Sequence, residues 1–205
     1  MKVVGFCGYS GAGKTTLVEQ LTQQLTQAGH RVSVIKHAHH DFDIDHEGKD
    51  SWRHRKAGAF EVVIASNRRL AKLREYEVEA EPTVHDLIAE LSDCDWALVE
   101  GFKHAALPKI EVWRAANGKP ALYPLDAHVV AICTDSPGQL PVPTALPVLA
   151  LGNADAVAAF LLSTSDRYDY TAPDLAACAP AATADADAGR SARPVAGHCA
   201  AAALG

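Results

Sequence analysis

The segment that most limits how this chain can fold runs from Gly8 to Thr16, and its residues 8–15 match the pattern G-x-x-x-x-G-K-[ST]. A short apolar run, Lys2–Cys7, precedes it, and leucine and valine at helical spacing follow it. A strand, a glycine-rich turn and a helix in this order direct backbone N–H groups and the helix N-terminus at phosphate oxygens. The sequence therefore predicts that a nucleoside triphosphate binds here. The residues predicted to hold its phosphates are Gly11, Ala12, Gly13, Lys14, Thr15 and Thr16.

Two charged residues are predicted to carry the chemistry of this nucleotide site. The ammonium of Lys14 should reach the β- and γ-phosphates, and the Thr15 hydroxyl should bind Mg²⁺. The apolar run Trp96–Val99 ends in Glu100. Because ligands bind at the carboxyl ends of such strands, we expect Glu100 to hold Mg²⁺ or to polarise an attacking water. The alternative is an ordinary strand-end glutamate facing solvent.

Beyond the loop, apolar segments alternate between strand and helix patterns. This alternation predicts an α/β fold of the P-loop NTPase type, with a mainly parallel twisted sheet flanked by helices. The segments Phe60–Ser66 and Leu70–Tyr76 are separated by a tight turn and predict a small β-hairpin appendage. Its apolar residues could form a dimer interface or part of a core: Val62, Ile64, Leu70 and Leu73.

The composition changes near Ser163. From residue 171 to residue 205, 15 of the 35 residues are alanine, and large apolar side chains are scarce. Such a segment cannot bury enough surface to offset its loss of conformational entropy. We therefore expect one nucleotide-binding domain over residues 1–165 and a disordered alanine-rich tail over residues 166–205.

Composition also excludes some classes of partner. The net charge of −6 offers no global basic field for nucleic acid. No apolar run approaches the roughly 18 residues that a membrane helix needs. The five cysteines form no C-x-x-C pair, so neither a disulfide framework nor a zinc ribbon is indicated. We expect a protein of the reducing cytoplasm that binds neither nucleic acid nor membrane.

The segment from Lys36 to His46 carries four of the ten histidines and follows the second predicted strand. Three interpretations remain open. Lys36 and the imidazoles could contact a second, anionic ligand. His37, His39 and His40 could bind a transition metal, although the spacing is irregular and no thiolate is present. The segment could also be a plain surface loop.

Further basic residues could serve the same second ligand. Arg53 and Lys56 lie three apart in a short predicted helix, and Lys103 follows the strand end at Glu100. Strand ends on one edge of a parallel sheet converge. We therefore expect Lys36, His37, His39, Arg53 and Lys103 to line an anionic pocket. Lys103 could also be coupled to the metal through its neighbour Glu100, and Arg53 could lie on a solvated helix face.

Together these segments resemble the MobB family of molybdopterin-guanine dinucleotide biosynthesis adapter proteins. The resemblance rests on GYSGAGKTTL at residues 8–17 and IKHAHHDFDIDHEGKDSWRHRKAGA at residues 35–59. LVEGFK at residues 98–103 and ALPKIEVWR at residues 106–114 extend it. It covers roughly residues 1–163, and the alanine-rich tail lies outside it.

The resemblance implies a GTP-binding homodimer with weak GTPase activity and Mg²⁺ as cofactor. It also implies partners: molybdopterin or its guanine dinucleotide, and the guanylyltransferase that joins molybdopterin to GMP. Guanine selection is less directly encoded, because the usual N/T-K-x-D pattern is absent. Asp135 follows a predicted strand and could accept hydrogen bonds from guanine N1–H and the 2-amino group, or it could simply begin a turn.

Two rival functions share the same phosphate loop. A nickel-inserting metallochaperone GTPase is suggested by the histidines, but it needs a metal-binding cysteine element or a long histidine tract. A small-molecule kinase needs an arginine-rich lid that closes on the phosphates, for which Arg53–Lys56 is the candidate. Transfer of phosphate to an acceptor separates a kinase from an adapter.

Overall fold

The fold was determined as a computed structural model, which describes residues 1–38, 42–78 and 81–173. Over these residues, the main strands are β1 (Lys2–Cys7), β2 (Val32–Lys36), β5 (Trp96–Glu100), β6 (Lys109–Trp113), β7 (Val129–Thr134) and β8 (Val148–Ala150). Two further strands are β3 (Glu61–Ala65) and β4 (Leu70–Arg74). The α-helices are α1 (Lys14–Gln27), α2 (Asp50–Lys56), α3 (Val84–Ala89) and α4 (Ala154–Ser163).

The six main strands form one parallel sheet in the order β2-β5-β1-β6-β7-β8. The strands β3 and β4 pair antiparallel in a separate two-stranded sheet. The predicted fold class is therefore confirmed, including the hairpin. The central strand β1 and its neighbours are almost entirely buried because helices and loops cover both faces, although β6 includes the charged residues Lys109 and Glu111.

The two faces of the sheet have separate cores. Helices α1 and α4 pack together on one face, where Leu17, Leu21 and Leu161 are buried. On the other face, Val84 and Ile88 of α3 pack against β1, β2 and β5. The strand order places the ends of β2, β5, β1, β6 and β7 along one edge, with the phosphate loop at its centre.

The compact unit extends beyond the predicted boundary at residue 165. It runs from Met1 to Ala172, because Tyr168 is buried and its ring lies 5.7 Å from that of Trp96. Asp169 forms an ion pair with Lys2 at 2.7 Å. The tail predicted to be disordered spans residues 166–205, and its part from residue 174 onward lies outside the described residues. Among the described helices, none is long and apolar enough to cross a membrane.

Candidate nucleotide and metal site

The phosphate loop leaves β1 at Gly8 and enters α1 at Lys14, as the sequence predicts. Gly8 has a φ of 130°, and a Cβ at this position would lie 2.3 Å from the carbonyl oxygen of Val112. Only glycine fits, because both the backbone conformation and the close approach to β6 exclude a side chain. Sheet packing thus sets the path of the loop across the end of β1.

Lys14 lies inside the curve of this loop. Its Nζ donates a hydrogen bond to the carbonyl oxygen of Tyr9 at 2.9 Å. Burial lowers the pKa of Lys14, and the nearby Glu100 carboxylate opposes that effect. The amine is therefore held where the phosphates of a bound nucleotide would lie, with only part of its hydration shell to lose.

The two predicted metal ligands are in direct contact. Thr15 Oγ1 donates a hydrogen bond to Glu100 Oε1 at 2.7 Å. The Glu100 side chain is only 5% exposed, so the alternative of a solvent-facing strand-end glutamate does not hold. A hydroxyl and a carboxylate are hard oxygen donors, and Mg²⁺ commonly takes one or two protein ligands together with phosphates and water. The donor set therefore fits Mg²⁺.

Lys36 also contacts this pair of oxygens. Residues Lys36 and Glu100 are register partners in the neighbouring strands β2 and β5, and their side chains form an ion pair. The Lys36 ammonium also lies 3.4 Å from Thr15 Oγ1. The sequence suggested Lys103 as the lysine coupled to the metal site, and the structure gives that contact to Lys36. The strand register determines which lysine contacts Glu100, because side chains at paired positions of neighbouring strands lie side by side.

Lys103 and His37 lie on the rim around the loop. The ammonium of Lys103 lies 5.5 Å from the centre of the Tyr9 ring. The His37 ring stacks on Phe102 with centroids 4.5 Å apart. Gly101, with a φ of 105°, permits this approach, because a Cβ there would lie 2.7 Å from His37 Cβ. Lys36, His37 and Lys103 are thus brought to one edge of the sheet.

Two other residues predicted for the second ligand, Arg53 and His39, are not among those that the structure brings to this rim. Arg53 is exposed on α2, and its guanidinium lies 3.9 Å from the Asp50 carboxylate of the same helix. Its participation in the rim stays a prediction. His39 lies outside the described residues, as does His40, so the metal-binding interpretation of the histidine segment falls largely beyond them. Among the described residues, no group of three or more histidine, cysteine, aspartate or glutamate side chains could hold a metal ion.

A cleft of about 300 Å³ opens beside the start of α1. Its lining residues come from the phosphate loop, α1 and the ends of β6, β7 and β8: Gly13, Thr16, Leu17, Gln20, Arg114, Asp135, Leu151 and Gly152. Its volume is at the lower end of the range for small-molecule pockets. Asp135, predicted to read the base, and Thr16, predicted to bind phosphate, therefore line the same cleft.

Asp135 is held as an acceptor in this cleft. Its Oδ1 accepts a hydrogen bond from Ser136 Oγ at 2.7 Å, and its Oδ2 accepts one from Arg114 Nε at 2.6 Å. These hydrogen bonds from Ser136 and Arg114 lower the pKa of the Asp135 carboxyl. An ionised carboxylate has acceptor capacity left for a ligand. Arg114 is not among the residues predicted for the site, although its place directly after β6 is a usable signal.

Comparison with known proteins assigns the chain to a family. The family model for MobB, described as molybdopterin guanine dinucleotide synthesis protein B, matches residues 3–135. The chain belongs to the MobB family. The matched region contains the phosphate loop, Lys36, Glu100 and Lys103, and it ends at Asp135.

Individual MobB relatives agree with this assignment. The chain is 44% identical over 138 residues to the molybdopterin-guanine dinucleotide biosynthesis adapter protein of Haemophilus influenzae, covering 66% of this chain and 75% of that protein. It is 38% identical over 170 residues to the adapter protein of Escherichia coli, covering 82% of this chain and 95% of that protein. The crystal structure of Bacillus subtilis MobB aligns with a TM-score of 0.64 at 22% identity, covering 83% of this chain and all of that one. This last match supports the fold alone.

Proposed function

We propose that this MobB-family chain binds GTP with Mg²⁺ and acts as an adapter in molybdopterin guanine dinucleotide biosynthesis. The observation that carries the nucleotide part is the 2.7 Å contact between Thr15 and Glu100 beside the phosphate loop. It joins the two predicted metal ligands at the point where the loop directs its N–H groups. The adapter part is supported by membership of the family and by the names of the relatives.

Different residues are proposed to bind the phosphates and the metal ion of the Mg²⁺–nucleotide complex. Lys14 and the loop N–H groups bind the phosphates, while Thr15 and Glu100 would hold Mg²⁺, which neutralises phosphate charge. Glu100 is buried and already engaged by Thr15 and Lys36, so it has little freedom to activate a water molecule. Slow GTP hydrolysis is the activity that we propose for such a site.

Guanine selection is proposed to depend on Asp135. Replacing Asp135 with Ala should lower GTP affinity about tenfold and leave ATP affinity nearly unchanged, because guanine offers N1–H and the 2-amino group together to this carboxylate and adenine has neither. Calorimetric titration of both nucleotides with Mg²⁺ measures the ratio. Asp155→Ala, in the first turn of α4, is the matched control and should leave both affinities as they are. Equal losses for GTP and ATP would mean that Asp135 supports the cleft without reading the base.

The rim beside the loop is proposed to receive molybdopterin or its guanine dinucleotide. Lys36, His37 and Lys103 present donors at one edge of the sheet, and charged donors bind phosphate strongly. His39 and Arg53 are proposed to join them. The partner would be the guanylyltransferase that joins molybdopterin to GMP, and the protein would act as a homodimer. We place it in the cytoplasm, where the free thiols of Cys7, Cys94 and Cys133 would stay reduced.

Charge reversal at Lys103 tests the second site separately from the first. Lys103→Glu should weaken molybdopterin-dinucleotide binding at least fivefold and GTP binding less than twofold, because Lys36, and not Lys103, contacts the two proposed metal ligands. Lys72→Glu is the control, since Lys72 pairs with Glu90 on the surface. Parallel titrations of both ligands give the comparison. Equal losses would indicate one nucleotide site without a separate pterin pocket.

A further inference from the structure

Glu100 already has a cation bound to it. Its carboxylate is buried, and the Lys36 ammonium pairs with the same Oε1 atom that accepts the Thr15 hydrogen bond. The ammonium also lies 3.4 Å from Thr15 Oγ1. Lys36 therefore contacts both oxygens that are proposed to hold Mg²⁺.

A carboxylate removed from water is costly unless a positive charge accompanies it. Lys36 supplies that charge while no metal is bound. Lys14 is less suited to this task in the present arrangement, because its Nζ is hydrogen-bonded to the Tyr9 carbonyl inside the loop. The register of the sheet fixes the ion pair between Lys36 and Glu100, since these residues are partners in the neighbouring strands β2 and β5.

We propose that Lys36 is the counter-ion of the metal site before metal binds, and that Mg²⁺ displaces its ammonium from Glu100. The inference rests on the proposed binding of a Mg²⁺–nucleotide complex. Mg²⁺ needs ligand oxygens at about 2.0–2.1 Å and adds two positive charges, so it competes with Lys36 for the same Oε1 atom. The Lys36 side chain is 55% exposed, so it can turn to solvent without opening the core.

Two consequences follow from this competition. Lys36 lowers the affinity of the site for Mg²⁺, because the ion pair must break first. It also links the two proposed ligands, because an ammonium released from Glu100 becomes available to an anion on the rim beside His37. Metal binding at one place and anion binding at the other would then favour each other.

The test measures the Mg²⁺ concentration that gives half-maximal binding of a fluorescent, non-hydrolysable GTP analogue. Lys36→Met removes the charge and keeps a long side chain. It should lower the half-maximal Mg²⁺ concentration about three- to tenfold, as expected for loss of a partly exposed ion pair. Lys72→Met breaks another lysine–glutamate pair and should leave that concentration unchanged. Lys36→Arg should restore the wild-type requirement, because it returns the competing cation.

The outcomes separate this inference from the function on which it rests. A Lys36→Met protein that binds the analogue but needs as much Mg²⁺ as wild type, or more, overturns the displacement. A wild-type protein that does not bind the analogue at any Mg²⁺ concentration overturns the proposed nucleotide site, and the inference with it. A lowered requirement in Lys36→Met, with Lys72→Met unchanged and Lys36→Arg restored, supports the displacement.

Discussion

Replacing Lys14 with Ala should lower the affinity for Mg²⁺–GTP by about 100-fold or more, because the phosphates lose a charge-assisted contact worth a few kcal/mol. The amine lies within the loop, where its Nζ donates to the Tyr9 carbonyl. Burial has already removed part of its hydration, as its lowered pKa indicates. A phosphate group that enters the loop therefore contacts an ammonium that has already lost part of its hydration.

The fold should survive this substitution. Lys14 is the first residue of α1, while the core contacts of the helix come from Leu17, Leu21 and Leu25. Calorimetric titration gives the affinity, and circular dichroism checks that the helix content is unchanged. Lys72→Ala, which removes a surface lysine, is the control. If Lys14→Ala binds Mg²⁺–GTP as tightly as wild type, the assignment of residues 8–16 as a phosphate loop is wrong.

The features that the sequence predicted correctly depend on local physics. The phosphate loop needs glycine, lysine and threonine at fixed spacing, so its local sequence alone predicts its conformation. The start of α3 is equally local: the three-residue spacing of Thr83 and Asp86 is typical of a capping box, and both reciprocal hydrogen bonds are present. The apolar runs ending at Cys7 and Glu100 predicted buried parallel strands because such strands are covered on both faces.

The features that were missed depend on which strands are neighbours. The sequence of β2 does not indicate whether it pairs with β5 or with β1. The observed pairing with β5 brings the Lys36 side chain next to Glu100. The same limit hid the approach of Arg114 to Asp135 across the ends of β6 and β7. Residue composition predicts a domain that ends at residue 165, whereas the compact unit includes the residues up to Ala172.

Tyr168 lies just beyond the predicted boundary and is buried. Its ring is almost fully buried in the core formed by α1, α4 and β5, where it packs near Trp96. The chain around it is tied to the first strand, since Lys2 bonds both Asp169 and the Ser165 carbonyl. A further hydrogen bond at 2.9 Å joins the Tyr170 hydroxyl to His85 on α3. This segment therefore bridges both faces of the sheet.

Tyr168→Ala should lower the free energy of unfolding by about 3–5 kcal/mol, as for other large aromatic residues truncated in a core. Denaturant unfolding measures the change, and the melting temperature should fall by roughly 10 °C. Tyr168→Phe is the matched control: it keeps the buried ring and removes only the hydroxyl, so about 1 kcal/mol at most should be lost.

Truncations locate the boundary independently of the point mutants. A chain ending at Ala172 should unfold with nearly the wild-type free energy, because Tyr168, Asp169 and Tyr170 are all retained. A chain ending at Ser165 loses all three and should be destabilised at least as much as Tyr168→Ala, since the Lys2 ion pair is lost together with the buried ring. Nearly equal stability of the two truncated chains would place the end of the folded unit at residue 165, as composition alone suggested. The expected difference would place it at Ala172. The reason is that the buried Tyr168 ring stabilises the fold, and the alanine-rich composition of the residues after it gives no sign of that burial.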